Sequence, residues 1–360
     1  MGWLDKANDW LTRPFRAEAP ATAGQPRRGG GADDGRPERA PPDTDVTVRY
    51  IFSLTNPGIV KPLGDGVPRN IDDPLTLEVA DQVLAHFHAH RPEPASFPAL
   101  ATQVIDVAEQ EEPDLGKLSR LIEQDAAISS KVLQVANSAL YHRDFEITSM
   151  RAAVSHLGMF AVANVAVGVA CRSLYDGDAR GDIDLYPAYW KGLFLQSMTA
   201  AYAASQFATE RQIGRSDQIF LAGIFHDIGK SLGLRSLCSL IRAKKVDRLD
   251  ETQVDRVLER VHVAVGTEAH VAWQLPQFLS TICRRHHDDD VVASPDYAEL
   301  HIIRVVSGLN ALRLSVNFDR ALSRQVRQSV HALGITPPQL RQLASSIRMA
   351  SESVADLFRR

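Results

Sequence analysis

Residues 159–170 have the sequence MFAVANVAVGVA, which is apolar on nearly every face of a helix. A helix without a polar face is stable in a water-soluble protein only when other elements surround it. The small residues in this stretch also let neighbouring helices approach closely. We therefore expect a central, buried helix, and the rest of the chain has to supply the elements that cover it.

Helical patterning continues through almost every segment from residue 71 onward, because apolar residues recur at intervals of three and four. Asp73 and Pro74 form an entry signal, with the aspartate as N-cap and the proline at the first helical position, and they predict a helix over residues 73–89. Pro337 and Pro338 open a helix near the C-terminus. The predicted fold class is all-α, a multi-helical bundle.

The N-terminal part of the chain has a different character. Residues 1–16 have apolar side chains at helical spacing and predict an amphipathic helix, for which docking or partner binding is favoured over membrane contact. Residues 17–46 are rich in proline and glycine and predict a disordered linker. Residues 47–90 form a pre-domain segment, in which TVRYIFSL at 47–54 is a candidate short strand.

The overall composition excludes several classes of protein. The chain has 40 Lys and Arg residues against 44 Asp and Glu residues, so no basic excess favours nucleic-acid binding. Cys171, Cys238 and Cys283 are too widely spaced for a disulfide framework or a cysteine-rich zinc site. No apolar run approaches the roughly 20 residues that span a bilayer, and no secretory signal is evident. These features predict a cytoplasmic protein.

The residues best suited to chemistry are histidines and aspartates near helix ends. The stretch GIFHDIGK at 223–230 places His226 and Asp227 at the end of an apolar helix, which Gly229 is expected to stop. Imidazole and carboxylate groups together bind divalent cations that activate water. A His-Asp pair that stands alone is more often a structural hydrogen bond than a metal site, and histidines at a helix end are also explained by the helix dipole. Further candidates are His262, His270, His286 and His287, with Asp288, Asp289 and Asp290 behind the last pair.

Several motifs in a fixed order resemble a known family. GIFHDIGK resembles the signature of the HD superfamily of metal-dependent phosphohydrolases. FPAL at 97–100, KLSRLIEQDAAISSKVLQVANSALY at 117–141 and ITSMRAAVSHLG at 147–158 resemble the HDOD subfamily. HVAVGTEAHVAWQLP at 262–276 and the His-His pair then follow in the expected order. The core of the second motif consists of Asn137, Ser138, Ala139 and Tyr141.

The resemblance implies a domain organisation and a function. It places an HDOD domain at 91–310 and C-terminal helices at 311–360. Proteins of this family are regulatory signal-output modules of bacteria, and most have no assigned catalytic activity. The DGxGYP block of the related cyclic-di-GMP phosphodiesterases is missing after the His-His pair.

The resemblance also implies a degraded metal site. Gln196 stands where an early histidine ligand is expected, and Gly308 stands where a late aspartate is expected, with Asn310 nearby. An amide is a weaker ligand than an imidazole, and a missing carboxylate removes charge that would balance a cation. The site is therefore predicted to be vestigial, with no catalytic residue and no cofactor. The retained metal candidates are His226, Asp227, His262, His286 and His287.

Three functions are consistent with these patterns. The first is a non-catalytic signalling or scaffold protein, a pseudoenzyme whose HDOD domain binds a protein partner. The second is a metal-dependent phosphohydrolase or phosphodiesterase that acts on a nucleotide or cyclic dinucleotide. The third is a pseudoenzyme that senses a nucleotide in the old cleft. Asn137 and Ser138 are expected to bond to nearby backbone and end a helix rather than to contact a ligand.

Overall fold

A computed structural model describes most of the chain after residue 71. The segments predicted as an amphipathic helix, a linker and a short strand lie outside the described residues, as do Ala139, Tyr141, Asp289 and Asp290. The described residues are 72–90, 92, 97–108, 110, 112–138, 146–176, 184–288, 297–314 and 320–358.

The described residues form helices and no strand, which confirms the all-α prediction. A short 3-10 helix, Cys171–Leu174, lies among the α-helices. The helices are α1 (Pro74–Ala89), α2 (Ala99–Ala108), α3 (Leu115–Glu123), α4 (Ala126–Ala136), α5 (Met150–Leu157), α6 (Met159–Ala170), α7 (Pro187–Arg211), α8 (Ser216–Phe225), α9 (Ile228–Arg242), α10 (Glu251–Ala272), α11 (Gln277–Arg285), α12 (Ala298–Leu314), α13 (Arg320–Ala332) and α14 (Pro337–Leu357).

Helix α6 is the apolar segment MFAVANVAVGVA, and it lies at the centre of the first half of the fold. It packs against α2, α3, α4, α5 and α8. Val162, Val165 and Ala166 are buried, whereas Phe160 remains partly exposed at the start of the helix. Gly168 allows the side chain of Met198 from α7 to pass directly over the helix. The prediction of a central, buried helix is confirmed.

The second half is built around α7, a helix of 25 residues that packs against α8, α12 and α14. Beside it, α9 and α10 lie against each other, with α1 and α11 on their outer faces. The entry signal predicted for α1 is confirmed, because the Asp73 side chain accepts a hydrogen bond from the Thr76 backbone N–H and Pro74 is the first helical residue. Pro337 likewise opens α14.

Gly229 corrects one prediction from the sequence. The apolar helix α8 ends at Phe225 and α9 begins at Ile228, so Gly229 lies in the first turn of α9 and stops nothing. A Cβ at this position would lie 1.9 Å from the His262 carbonyl oxygen and 2.7 Å from the Gly266 nitrogen. The glycine is required because α9 and α10 touch through their backbones at this point.

Two further observations concern the chain as a whole. Among the described helices, none is by itself both long and apolar enough to cross a bilayer. The segments Met150–Leu157 and Met159–Leu174 meet those criteria only as a pair, which is bent by 118°. Cys171, Cys238 and Cys283 are all buried, and none of them forms a disulfide.

Candidate functional site

The predicted metal candidates meet where α8, α9, α10 and α11 come together. Asp227 precedes the first residue of α9, His262 lies in the middle of α10, and His286 and His287 follow the last residue of α11. Possible ligand atoms of Asp227, His262, His286 and His287 all lie within 4.8 Å of one another. Within the described part of the chain, this is the one group of at least three such residues that converges.

The Asp227 carboxylate is the centre of the cluster. His286 Nε2 lies 3.2 Å and His262 Nε2 lies 3.5 Å from Asp227 Oδ1. His226 Nε2 lies 3.7 Å from Asp227 Oδ2, so His226 borders the same carboxylate. The three histidines are almost completely buried, whereas the aspartate side chain is 20% exposed. Solvent therefore reaches the pocket at the Asp227 carboxylate, whereas the three imidazole rings are shielded from it.

The tautomer of each buried imidazole follows from its backbone partner. Nδ1 lies 3.0 Å from the Gly223 carbonyl oxygen in His226 and 2.7 Å from the Cys283 carbonyl oxygen in His286. In His262, Nδ1 lies 3.0 Å from the Glu259 carbonyl oxygen. A carbonyl oxygen only accepts, so Nδ1 must carry the proton in all three rings. Each ring then presents the lone pair of Nε2 to Asp227.

Burial keeps these rings neutral. It lowers the pKa of His262 to about 4 and that of His286 well below its ordinary value, even though Asp227 opposes the shift in both. Burial also lowers the pKa of His226. Neutral imidazole is the form that binds metal ions.

This arrangement fits a single divalent transition-metal ion. Lone pairs that face a carboxylate repel it unless a cation lies among them. The Nε2 atom of His262 is buried and has no hydrogen-bond partner within the described residues, which leaves a ligand atom aimed into the pocket. Nitrogen and carboxylate donors together suit zinc, iron and similar ions, and the backbone bonds on Nδ1 would orient the rings toward the ion.

A protein cation already lies beside the carboxylate. Lys230 Nζ is 2.8 Å from Asp227 Oδ2 and 2.8 Å from Glu259 Oε1. Burial alone would raise the pKa of Asp227, but the Lys230 ammonium opposes burial, and the pKa of Asp227 lies well below its usual range. Burial alone would lower the pKa of Lys230, and the two carboxylates raise it instead. The ion triad therefore stays charged at neutral pH.

The positions assigned to lost ligands lie apart from this cluster. Gln196 is an exposed residue of α7 and makes no hydrogen bond to the cluster within the described part of the chain. Gly308 faces α13, because a Cβ there would lie 2.4 Å from Val326 Cγ2. Asn310 is buried and accepts a hydrogen bond from Arg313. An aspartate at position 308 would collide with α13.

His270 and Asp288 also lie outside the cluster. His270 is buried against Phe225, with ring centroids 6.1 Å apart. Asp288 is exposed and pairs with Arg285, whose Nε lies 3.2 Å from it. Neither residue belongs to the group whose ligand atoms converge.

Asn137 has a structural contact that supports the expected role. Its Nδ2 donates to the carbonyl oxygens of Leu133 and Ile147, and its Oδ1 accepts from the Ile147 N–H at 2.8 Å. Ser138 Oγ donates to the Val135 carbonyl oxygen. The amide of Asn137 therefore ends α4 and also fastens residue 147 to it.

Sequence reasoning missed two residues around the pocket. Glu259 stands one helical turn before His262 in α10, and this spacing could have indicated that it faces the same side. Gln325 of α13 contacts His287, and no local pattern marks it, because the two residues are 38 positions apart in sequence.

Solved structures share this fold at low sequence identity. A Shewanella amazonensis SB2B protein provisionally named a metal-dependent phosphohydrolase superposes with a TM-score of 0.58 at 20% identity, over 78% of this chain and 100% of that one. An HDOD domain protein with unknown function from Geobacter sulfurreducens superposes with a TM-score of 0.57 at 20% identity, over 78% and 99% of the two chains. The chain therefore shares its helical fold with these two proteins.

The family model for the HDOD domain matches residues 95–289, which is more than half of the chain. The chain belongs to the HDOD family. An uncharacterized protein of Treponema pallidum (strain Nichols) is 23% identical over 236 residues, and the match covers 62% of this chain. It covers 42% of the Treponema protein, so the chain spans less than half the length of that relative.

Proposed function

We propose that the chain is a non-catalytic regulatory protein of signal transduction whose HDOD domain binds a protein partner. The observation that carries this proposal is the ion pair between Lys230 and Asp227. Asp227 is the only carboxylate in the convergent group of described residues, and a protein ammonium already neutralises it. A pair of catalytic metal ions needs bridging and terminal anionic ligands, and this pocket does not supply them.

Charge counting leads to the same conclusion. Asp227, Glu259 and Lys230 together carry one net negative charge, and burial lowers the pKa values of His226, His262 and His286 so that these rings are neutral. A single divalent ion would leave the buried pocket with one net positive charge, and a second ion would leave three. Uncompensated buried charge is costly, so the pocket supports one ion at most. The two-ion clamp used for phosphate ester cleavage is therefore not favoured.

A metal-dependent phosphohydrolase or phosphodiesterase is the second candidate, because four donors converge on one point. Asp227, His262, His286 and His287 would hold the ion, with His226 at the border. When bound, such an ion would polarise a phosphoryl oxygen and lower the pKa of a coordinated water. Lys230 would then lie where it could pair with an anionic phosphate.

Metal content and turnover of the purified full-length chain distinguish the two candidates. We expect no hydrolysis of bis(p-nitrophenyl) phosphate or of a cyclic dinucleotide above the rate of a His226→Ala variant. The matched control is His331→Ala, which removes an exposed histidine of α13 far from the cluster in sequence. Near-stoichiometric iron, manganese or zinc together with turnover, both lost in His226→Ala and kept in His331→Ala, would make the chain an enzyme.

The partner is tested separately. A captured protein should bind the purified wild type and His226→Ala with similar affinity, since the proposed role needs no chemistry in the pocket. Deleting residues 1–16 then tests whether this segment contributes to binding. If no protein binds the full-length chain, the proposal of a scaffold fails whatever the metal analysis shows.

A further inference from the structure

His287 and Asp288, which lie just beyond the end of α11, are held by helices beyond the family match. Gln325 of α13 contacts both the ring and the backbone of His287. Arg304 of α12 donates to the carbonyl oxygen of Asp288 at 2.6 Å and to Gln328. The HDOD match ends at residue 289, so both contacts come from helices that follow the matched region.

The orientation of the Gln325 amide follows from its two partners. One end lies 2.8 Å from the His287 carbonyl oxygen, which can only accept, so the NH₂ group must face it. The other end is therefore the amide oxygen, and it lies 3.2 Å from His287 Nδ1. An amide oxygen also only accepts, so His287 Nδ1 must carry the ring proton. The lone pair of His287 then resides on Nε2.

This tautomer matches the rest of the pocket. His226, His262 and His286 use backbone carbonyls to hold their Nδ1 protons, whereas His287 uses a side chain for the same purpose. The His287 ring centroid lies 5.1 Å from that of His262 and 4.0 Å from that of His286. A rotated or tautomerised His287 would thus present an N–H to its neighbours instead of a lone pair.

We infer that Gln325 is a positioning residue that fixes His287 in the tautomer with Nε2 free for the pocket, so that the C-terminal helices complete the site. Gln325 acts through His287 and touches no ligand itself. This inference goes beyond the proposed function and does not depend on it, because the tautomer exists with or without turnover.

The test is the protonation pattern of His287 in the metal-free, full-length protein. Long-range ¹H–¹⁵N correlation spectra of the imidazole rings distinguish the two tautomers, and a His287→Gln variant assigns the signal. We expect the Nδ1–H form in the wild type. Gln325→Leu removes both contacts and should shift His287 to the Nε2–H form, which neutral histidine prefers in water. Gln325→Glu keeps an acceptor for Nδ1–H and should preserve the wild-type tautomer.

Affinity for Co²⁺, used as a spectroscopic probe, provides a second readout. Gln325→Leu should weaken Co²⁺ binding by about 10- to 100-fold, and Gln325→Glu should restore most of it. Gln342→Leu, an exposed glutamine of α14, is the matched control and should behave as the wild type in both measurements.

Two results would overturn the inference. One is an Nε2–H tautomer of His287 in the wild type, which requires no variant and so cannot be obscured by misfolding. The other is a folded Gln325→Leu protein with the wild-type tautomer and Co²⁺ affinity. If the leucine variant does not fold, Gln325→Asn replaces it, since the shorter amide cannot reach both partners and should release the tautomer.

Discussion

Lys230 Nζ lies 2.8 Å from Asp227 Oδ2, so the carboxylate at the centre of the histidine cluster is paired with an ammonium of its own helix. The same ammonium contacts Glu259 across the α9–α10 interface. The lysine therefore plays two parts, as the counter-ion of the pocket and as a bridge between two helices. Removing it should affect metal affinity and stability in opposite directions.

The first prediction concerns Lys230→Met. In metal-free protein, loss of the ammonium leaves Asp227 and Glu259 without a counter-ion, and the free energy of unfolding should fall by about 3 kcal/mol. Co²⁺ affinity should rise at least tenfold, because the pocket gains net negative charge. Urea denaturation with EDTA and Co²⁺ titration measure the two effects. Lys191→Met, at an exposed site of α7, is the control. Equal stability and equal Co²⁺ affinity in Lys230→Met and wild type would contradict the prediction.

The second prediction concerns Gly229→Ala. The added Cβ would meet the His262 backbone at 1.9 Å, so α9 and α10 would have to separate. Overpacking of this kind should lower the free energy of unfolding by about 3 kcal/mol. The control is Gly192→Ala, where the nearest atom, Gln196 Nε2, lies 4.0 Å away, and it should stabilise α7 by about 0.5 kcal/mol or more. If the urea midpoints of Gly229→Ala and Gly192→Ala shifted in the same direction and by the same amount, the close approach of α9 and α10 would not require glycine at position 229.

The third prediction concerns pH and His270. Burial lowers the pKa of His270 to about 4, below the roughly 6.5 of an unfolded histidine. The unfolded chain therefore takes up a proton first as the pH falls, and stability present above about pH 6.5 is lost between about pH 6.5 and 4. His270→Leu cannot bind that proton. As the pH falls, the free energy of unfolding of His270→Leu should decrease less steeply than that of the wild type. The two slopes should differ by up to about 1.4 kcal/mol per pH unit. Parallel curves for the two proteins in EDTA would refute this account.

The fourth prediction concerns Asn137. Asn137→Ala removes the acceptor for the Ile147 N–H and the donor for its carbonyl oxygen, and should cost about 2 kcal/mol of unfolding free energy. Ser119→Ala, which removes a hydroxyl bonded to the Leu115 carbonyl oxygen on an exposed helix face, should stay within about 0.5 kcal/mol of wild type. An Asn137→Ala protein as stable as Ser119→Ala would reopen a ligand-binding role for this motif.

The sequence predicted those features that depend on local periodicity and capping. The helical fold class, the central helix α6 and the start of α1 at Pro74 all follow from spacing and cap chemistry within a few residues. The candidates Asp227, His262, His286 and His287 were indicated by residue type and by motifs that resemble the HD pattern, and the structure brings these four together.

The features that the sequence did not predict depend on contacts between distant segments. Gly229 resembled a helix stop, and only the approach of α10 reveals why it has to be glycine. Gln325 is an ordinary polar residue of an amphipathic helix until α13 is placed beside His287. The charge of Asp227 could be assessed only once Lys230 and Glu259 were seen on both sides of the α9–α10 interface.

The backbone contact between Gly229 and Gly266 determines the distance between α9 and α10 beside the pocket. Asp227 stands two residues before Gly229, and His262 stands one helical turn before Gly266. The contact between the two glycines therefore sets the separation of the backbone positions that carry Asp227 and His262. Substitutions in the surrounding core can change side-chain volumes without changing this distance between the two backbones. A substitution can therefore remove one ligand from this pocket while the spacing of α9 and α10 stays the same.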